Sequence, residues 1–187
     1  MDNVGFAIVW SLGSYLVGSL SIGDLVARVA GVKIRTVGTG NPGAANVYRE
    51  IGPRYGAAVL VLDFIKGAVV ALPLYFLDTP LWVKAVVTGA FLLGHFFPVF
   101  WRFRGGTGMV AGMGAATAFL PLGSLVGVAT GLSALGITRS TGRSGGAYFV
   151  AMIVAGLLLD RSFQGAIAVV MIGVAIRLRA LVQYRRR

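Results

Sequence analysis

Apolar runs long enough to cross a bilayer follow one another along nearly the whole chain, and no other feature restricts the fold as tightly. A transmembrane helix needs roughly 20 mostly apolar residues. Such runs fall at about residues 4–27, 56–77, 81–101, 147–159 and 163–176, with a longer one at 109–137. The longer run exceeds one ordinary helix, and Pro121-Leu122-Gly123 in its middle divides it into two helices with a reversal between them. Only 12% of residues are charged, against about 25% in ordinary globular proteins. The expectation is an all-α polytopic membrane protein of seven transmembrane helices, a single integral membrane domain over residues 1–187. Met1-Asp2-Asn3 lacks the basic start of a signal peptide, so the first run is expected to remain as a helix.

The charges supply an orientation. With seven crossings, one side receives Arg28, Lys33, Arg35, Arg49, Arg54, Arg102, Arg104, Arg139 and Arg143, together with the tail arginines Arg177, Arg179, Arg185, Arg186 and Arg187. The other side has Lys84 and Arg161 beside Asp2, Asp78 and Asp160. Positive residues concentrate in cytoplasmic loops, which places the N-terminus outside and the C-terminus in the cytoplasm. The net charge of +11 is therefore a topology signal, and it implies no nucleic acid partner. The absence of cysteine excludes disulfides and thiolate chemistry. No cluster of His and carboxylates suggests a metal, no cofactor is implied, and the residues set no oligomeric state.

Two polar, glycine-rich segments interrupt the apolar pattern on the cytoplasmic side. The first is Lys33–Asn46, where Pro42 and the glycines oppose a helix. Its successive N–H groups could form an anion nest, with the Arg35 fork adding a bidentate contact; an ordinary cytoplasmic turn uses the same glycines. Gly38-Thr39-Gly40-Asn41-Pro42-Gly43 matches a dinucleotide-loop spacing, but no βαβ unit surrounds it and no Walker lysine follows. The second segment is Arg102-Phe103-Arg104-Gly105-Gly106-Thr107-Gly108.

Other residues stand out by position. Asp24 and Arg28, four apart, are expected to pair on one helical face. Asp63 and Lys66 share a face within a membrane span, where a single charge costs on the order of 2.5–3.5 kcal/mol. They are read either as an anion-attracting group with its orienting carboxylate or as a structural brace. His95, the only histidine, has no acidic neighbour at a dyad spacing and reads as a hydrogen-bonded structural group. Gly123, Gly127 and Gly131 recur every four residues, a spacing that favours close helix packing.

In order and spacing, these segments resemble a known family, the bacterial membrane acyl-phosphate:glycerol-3-phosphate acyltransferases of the PlsY type. The resemblance is carried by Gly18-Ser19-Leu20-Ser21-Ile22-Gly23, by Arg35 to Asn46, and by Leu62-Asp63-Phe64-Ile65-Lys66-Gly67. It continues in Gly94-His95-Phe96-Phe97-Pro98 and Arg104-Gly105-Gly106-Thr107-Gly108. It implies transfer of an acyl group from acyl-phosphate to glycerol-3-phosphate within membrane lipid synthesis, in a bacterial inner membrane. Ser19, Arg35, Thr39, Gly40, Asn41, Gly43, Asn46, Arg104, Gly105 and Gly106 would bind phosphate and substrate, with Asp63, Lys66 and His95 in support.

The chain departs from the family pattern at several positions. Thr107 stands where the family has Lys, Ala45 where it has Thr, and Thr39 where it has Ser. Gly142 and Gly145 replace two serines. In Arg177-Leu178-Arg179-Ala180-Leu181 the family's His, Glu and Asn are replaced by Leu178, Ala180 and Leu181. These departures keep a second reading open, a non-catalytic homologue that binds lipid phosphates or a membrane partner.

Overall fold

The computed structural model describes residues 2–185, so Arg186 and Arg187 of the basic tail lie outside it, as do the side chains of Tyr184 and Arg185. Among the described residues the fold is all-helical: α1 (Asn3–Ser19), α2 (Ile22–Val29), α3 (Ala44–Glu50), α4 (Pro53–Phe76), α5 (Leu81–Phe96), α6 (Met109–Phe119), α7 (Pro121–Thr138), α8 (Thr141–Leu159) and α9 (Phe163–Arg185). Short 3-10 turns occupy Ile34–Thr36 and Val99–Trp101. Six stretches are long and apolar enough to cross a membrane, where sequence reading expected seven. The exception is α6, whose 11 residues rise only about 16 Å. It stops because Leu120, the residue before Pro121, leaves helical geometry (φ −137°, ψ 70°) under the clash that proline imposes on its predecessor.

Three further boundaries differ from expectation. The first run is not one helix: Leu20 and Ser21 are extended between α1 and α2. The break removes carbonyls from the α1 ladder, and one of them becomes a side-chain acceptor below. The stretch read as loop through Asn46 turns helical at Ala44, because Gly43 serves as an extended N-cap (φ −85°, ψ 157°) and no helix breaker follows until Gly52-Pro53. Finally, α9 does not end near Ile176. Arg177, Leu178, Arg179, Ala180 and Leu181 all sustain a helix, and the last turns carry side chains back toward the loops.

Packing follows the small residues. A Cβ on Gly18 would strike the Phe91 carbonyl and one on Gly94 the Tyr15 carbonyl, so α1 and α5 lie in backbone contact. Gly123, Gly127 and Gly131 face Met152, Gly156, Tyr148 and Ser144 of α8, as the four-residue spacing anticipates. Asp160 caps the start of α7 by accepting from the backbone N–H of Leu122 at 3.0 Å and of Gly123 at 2.7 Å. The larger core includes Leu74, Val87, Phe91, Phe119, Met152 and Ile172. A smaller one, Ala27, Ile34, Val47 and Val59, ties α2, the loop and α3 to α4. Leu12, Val69, Phe76, Leu125 and Leu158 lie exposed on the outside, an arrangement suited to hydrocarbon rather than water.

Candidate functional site

The two glycine-rich segments meet. Thr39, Gly40, Asn41, Arg104 and Gly105 line one cleft of about 410 Å³, together with Phe97, Phe103, Arg179 and Gln183. Five of the expected site residues therefore share one cleft.

The first segment is a tightly braced turn. Gly38 and Gly40 hold φ of +53° and +62°, a region L side chains avoid. Asn46, 2% exposed, staples the turn: its Oδ1 accepts from the Thr39 N–H at 2.9 Å and its Nδ2 donates to the Val37 carbonyl at 3.2 Å. The Gly40 N–H donates to the Val37 carbonyl at 2.9 Å. Those two amides stabilise the turn rather than face an anion. Gly43 makes room for Asn41, whose amide nitrogen would lie 3.0 Å from a Cβ there. The Asn41 Oδ1 is buried and has no hydrogen-bond partner among the described residues.

Arg35 is anchored from below. Its Nε donates to Asp24 Oδ1 at 2.8 Å and its Nη2 to Asp24 Oδ2, while Ser21 Oγ donates to Oδ2 at 2.6 Å. This corrects the expected Asp24–Arg28 pair. The bidentate fork of Arg35 matches a buried carboxylate better than a single i,i+4 contact does, and the Arg28 guanidinium instead lies 4.2 Å over the Trp101 ring.

The second segment is held from the far end of the chain. The Gly105 N–H donates to the Phe96 carbonyl at 3.1 Å. Gln183 Nε2 donates to the Gly105 carbonyl at 2.9 Å, and Arg179 Nη2 to the Phe96 carbonyl at 2.8 Å. The Arg179 guanidinium also covers Phe97 at 4.6 Å. Sequence reading missed Gln183, Phe97 and Phe103 as cleft residues. The available signal was the unbroken helical composition after Ile176, which puts Arg179 and Gln183, four apart, on one face.

Beneath both loops lies a buried polar floor. Lys66 pairs with Asp63 at 3.0 Å and donates to the Leu20 carbonyl freed by the α1–α2 break at 2.8 Å. It also meets His95 Nδ1 at 3.1 Å and, more weakly, the Gly18 carbonyl at 3.4 Å. An ammonium can only donate, so Nδ1 accepts and a neutral ring carries its proton on Nε2. That Nε2 points toward the second loop: a Cβ on Gly106 would stand 3.1 Å from it and 3.2 Å from Asn41 Oδ1. The three ammonium protons are thus engaged, an arrangement that braces. Ser19 is fully buried and accepts weakly from the Val99 N–H at 3.4 Å, joining α1 to the turn after α5 rather than lining the cleft.

Chemically, the cleft sets a cationic side chain, Arg104, and two aromatic rings beside Asn41, whose amide oxygen is unsatisfied. Such a cleft combines positive charge with aromatic surface. Among the described residues no metal-binding cluster occurs.

A family model described as glycerol-3-phosphate acyltransferase matches residues 8–187. Proteins named glycerol-3-phosphate acyltransferase are 44% identical over 123 residues in Geotalea daltonii and 41% identical over 111 in Aquifex aeolicus. These matches cover 65% and 58% of this chain and 63% and 57% of the relatives, so they span less than two thirds of the relatives' length. A crystal structure of PlsY (YgiH), an integral membrane glycerol 3-phosphate acyltransferase in its glycerol 3-phosphate form, superposes with a TM-score of 0.84 at 30% identity, covering 96% of this chain and 90% of that one.

Proposed function

The chain belongs to the glycerol-3-phosphate acyltransferase family, and from that premise we propose that it transfers a fatty acyl group from acyl-phosphate to the 1-hydroxyl of glycerol-3-phosphate. The hydroxyl oxygen forms a bond to the acyl carbon while the acyl carbon–phosphate oxygen bond breaks. The departing phosphate takes the hydroxyl proton, leaving lysophosphatidic acid and inorganic phosphate. Binding and alignment supply the catalysis, and no side chain is acylated.

The observation that carries this reading is the buried, unpartnered Asn41 Oδ1 beside Gly106 and His95. A buried acceptor without a donor is costly, and a glycerol hydroxyl would satisfy it. Arg104 and the Thr39 hydroxyl hold the phosphate between walls shaped by Gly40, Gly43, Gly105 and Gly106. Arg35, Asn46, Ser19, Asp63, Lys66 and His95 keep those walls in register. Phe97 and Phe103, both exposed at the cleft edge, would receive the start of the acyl chain.

The setting follows from the same reading: a single integral domain over residues 1–187 in a bacterial inner membrane, crossing seven times with glycine-rich loops and C-terminus in the cytoplasm. Two observations support α6 as the seventh crossing. Gly108, just before it, lies beside His95 and Phe96, whereas Phe119 at its end lines a cavity with Phe76 and Lys84 at the opposite end of α4 and α5. With that crossing the basic loops fall on one side, as the positive-inside rule requires.

The test is an assay of purified protein with acyl-phosphate and glycerol-3-phosphate, measuring lysophosphatidic acid by mass spectrometry. Turnover is expected, and Asn41→Ala should lower it by about 10²-fold, the usual cost of a transition-state hydrogen bond. Thr107, Leu178 and Leu181, in place of the family's Lys, His and Asn, favour a second reading, phosphate binding without transfer. Retained binding of either substrate with no product establishes that reading and overturns the first.

A further inference from the structure

A second buried lysine lies at the other end of the bundle, away from the cleft. Lys84, in the first turn of α5, is 7% exposed. It lines a cavity of about 370 Å³ with Tyr75, Phe76, Asp78, Phe119, Ser162 and Gly165. Lys66 has Asp63, Leu20 and His95 to receive its protons. Lys84, among the described residues, has no carboxylate at ion-pair distance and no side-chain hydrogen bond. Asp78, the acidic residue on the cavity wall, is exposed and does not pair with it.

The surroundings add positive potential. α5 begins at Leu81, and Ser162 and Gly165 bring the start of α9 to the same cavity. Helix N-termini carry partial positive charge, so two of them beside an unpaired ammonium make the cavity poor for a cation alone and favourable for an anion. A lysine near a membrane boundary ordinarily extends its head to water; this one lines the cavity. Ser162 Oγ accepts from the Gly165 N–H at 3.0 Å, which leaves its hydroxyl proton available to donate. On the rim, Tyr75 is 46% and Phe76 75% exposed on the bundle's outer surface, where acyl chains can lie.

We infer that this cavity is a phosphate site, with Lys84 as counter-charge and Ser162 as hydroxyl donor, that takes the headgroup of an anionic membrane phospholipid. The ligand is bound here and not consumed. The site is separate from the cleft and stands or falls independently of the acyl-transfer reading.

The experiment uses full-length protein in detergent, stripped of lipid, with phosphatidylglycerol or phosphatidylcholine added and bound lipid counted by native mass spectrometry. Wild type should retain phosphatidylglycerol preferentially, and Lys84→Met should lower that retention about fivefold, the loss of one basic contact to an anionic headgroup, while Lys84→Arg preserves it. Because basic loops at the other end also attract anionic lipid, a site-specific readout accompanies the count. In wild-type protein, phosphatidylglycerol should slow acetylation of the Lys84 amine and phosphatidylcholine should not. Inorganic phosphate forms the other arm: if it slows acetylation and phosphatidylglycerol does not, the site takes free phosphate and the lipid assignment is overturned. Equal lipid retention by wild type and Lys84→Met, or acetylation indifferent to both ligands, overturns the site altogether.

Discussion

The 38–43 turn is held by residues close to it in sequence: Asn46 ties its backbone, and Arg35 reaches Asp24 eleven positions away. The 104–108 segment is held from 83 positions along the chain by Arg179 through the Phe96 carbonyl, and by Gln183 seventy-eight positions from Gly105. Both walls belong to one cleft. The first is tied within its own stretch; the second has a local tie, the Gly105 N–H to the Phe96 carbonyl, and gains donors to its own carbonyls only once α9 has docked. A local turn tolerates change in distant helices, and a docked loop does not.

Three substitutions break or sharpen that contrast. The largest effect should come from the floor that both loops share: Lys66→Met leaves Asp63 buried without a counter-charge and should destabilise the protein by about 3–5 kcal/mol. Thermal unfolding of purified protein measures it, and the double variant Asp63→Asn/Lys66→Met should recover part of the loss. No recovery would show that Lys66 acts through His95 and Leu20 rather than through the pair.

Asn46→Ala comes next. It strands the Thr39 N–H and takes one of two donors from the Val37 carbonyl, which keeps the Gly40 N–H, a cost of about 1–3 kcal/mol. The damage should stay in the first loop, so proteolysis or hydrogen exchange should rise over residues 36–46 and not over 104–108. Exchange that rises equally in both segments would end the distinction between them.

Gln183→Ala is the mildest, removing one hydrogen bond at about 1 kcal/mol. It should loosen 104–108 alone, raising the KM for glycerol-3-phosphate several-fold while leaving the melting temperature nearly unchanged. A change in melting temperature without a change in KM would make Gln183 part of the packing and not of the cleft.

Legibility in the sequence followed the same division. The glycine and proline positions of 38–43 announce a turn, and Pro121 announces the end of α6, because both act through the φ/ψ limits of adjacent residues. The Gly123, Gly127 and Gly131 repeat announces a helix contact for a similarly local reason. The Asp24–Arg28 pairing failed because a periodicity rule ranks only neighbours on one helix, and the better geometric partner, Arg35, lies beyond α2. α3 was hidden because the glycines before Ala44 made the whole stretch read as loop.

The sequence by itself determined the class of the molecule, its apolar helices, its charge asymmetry and the two segments on which a phosphate could rest, since hydrophobic run length, proline and glycine act on the chain without knowledge of its partners. Tertiary structure alone decided which helices face each other, that a break at Leu20 would present its carbonyl to Lys66, that Arg179 and Gln183 would close the second loop, and that Lys84 would be left facing a cavity. Those outcomes depend on side chains distant in sequence meeting at hydrogen-bond distance. That geometry comes from packing the helices together, and no local pattern encodes it.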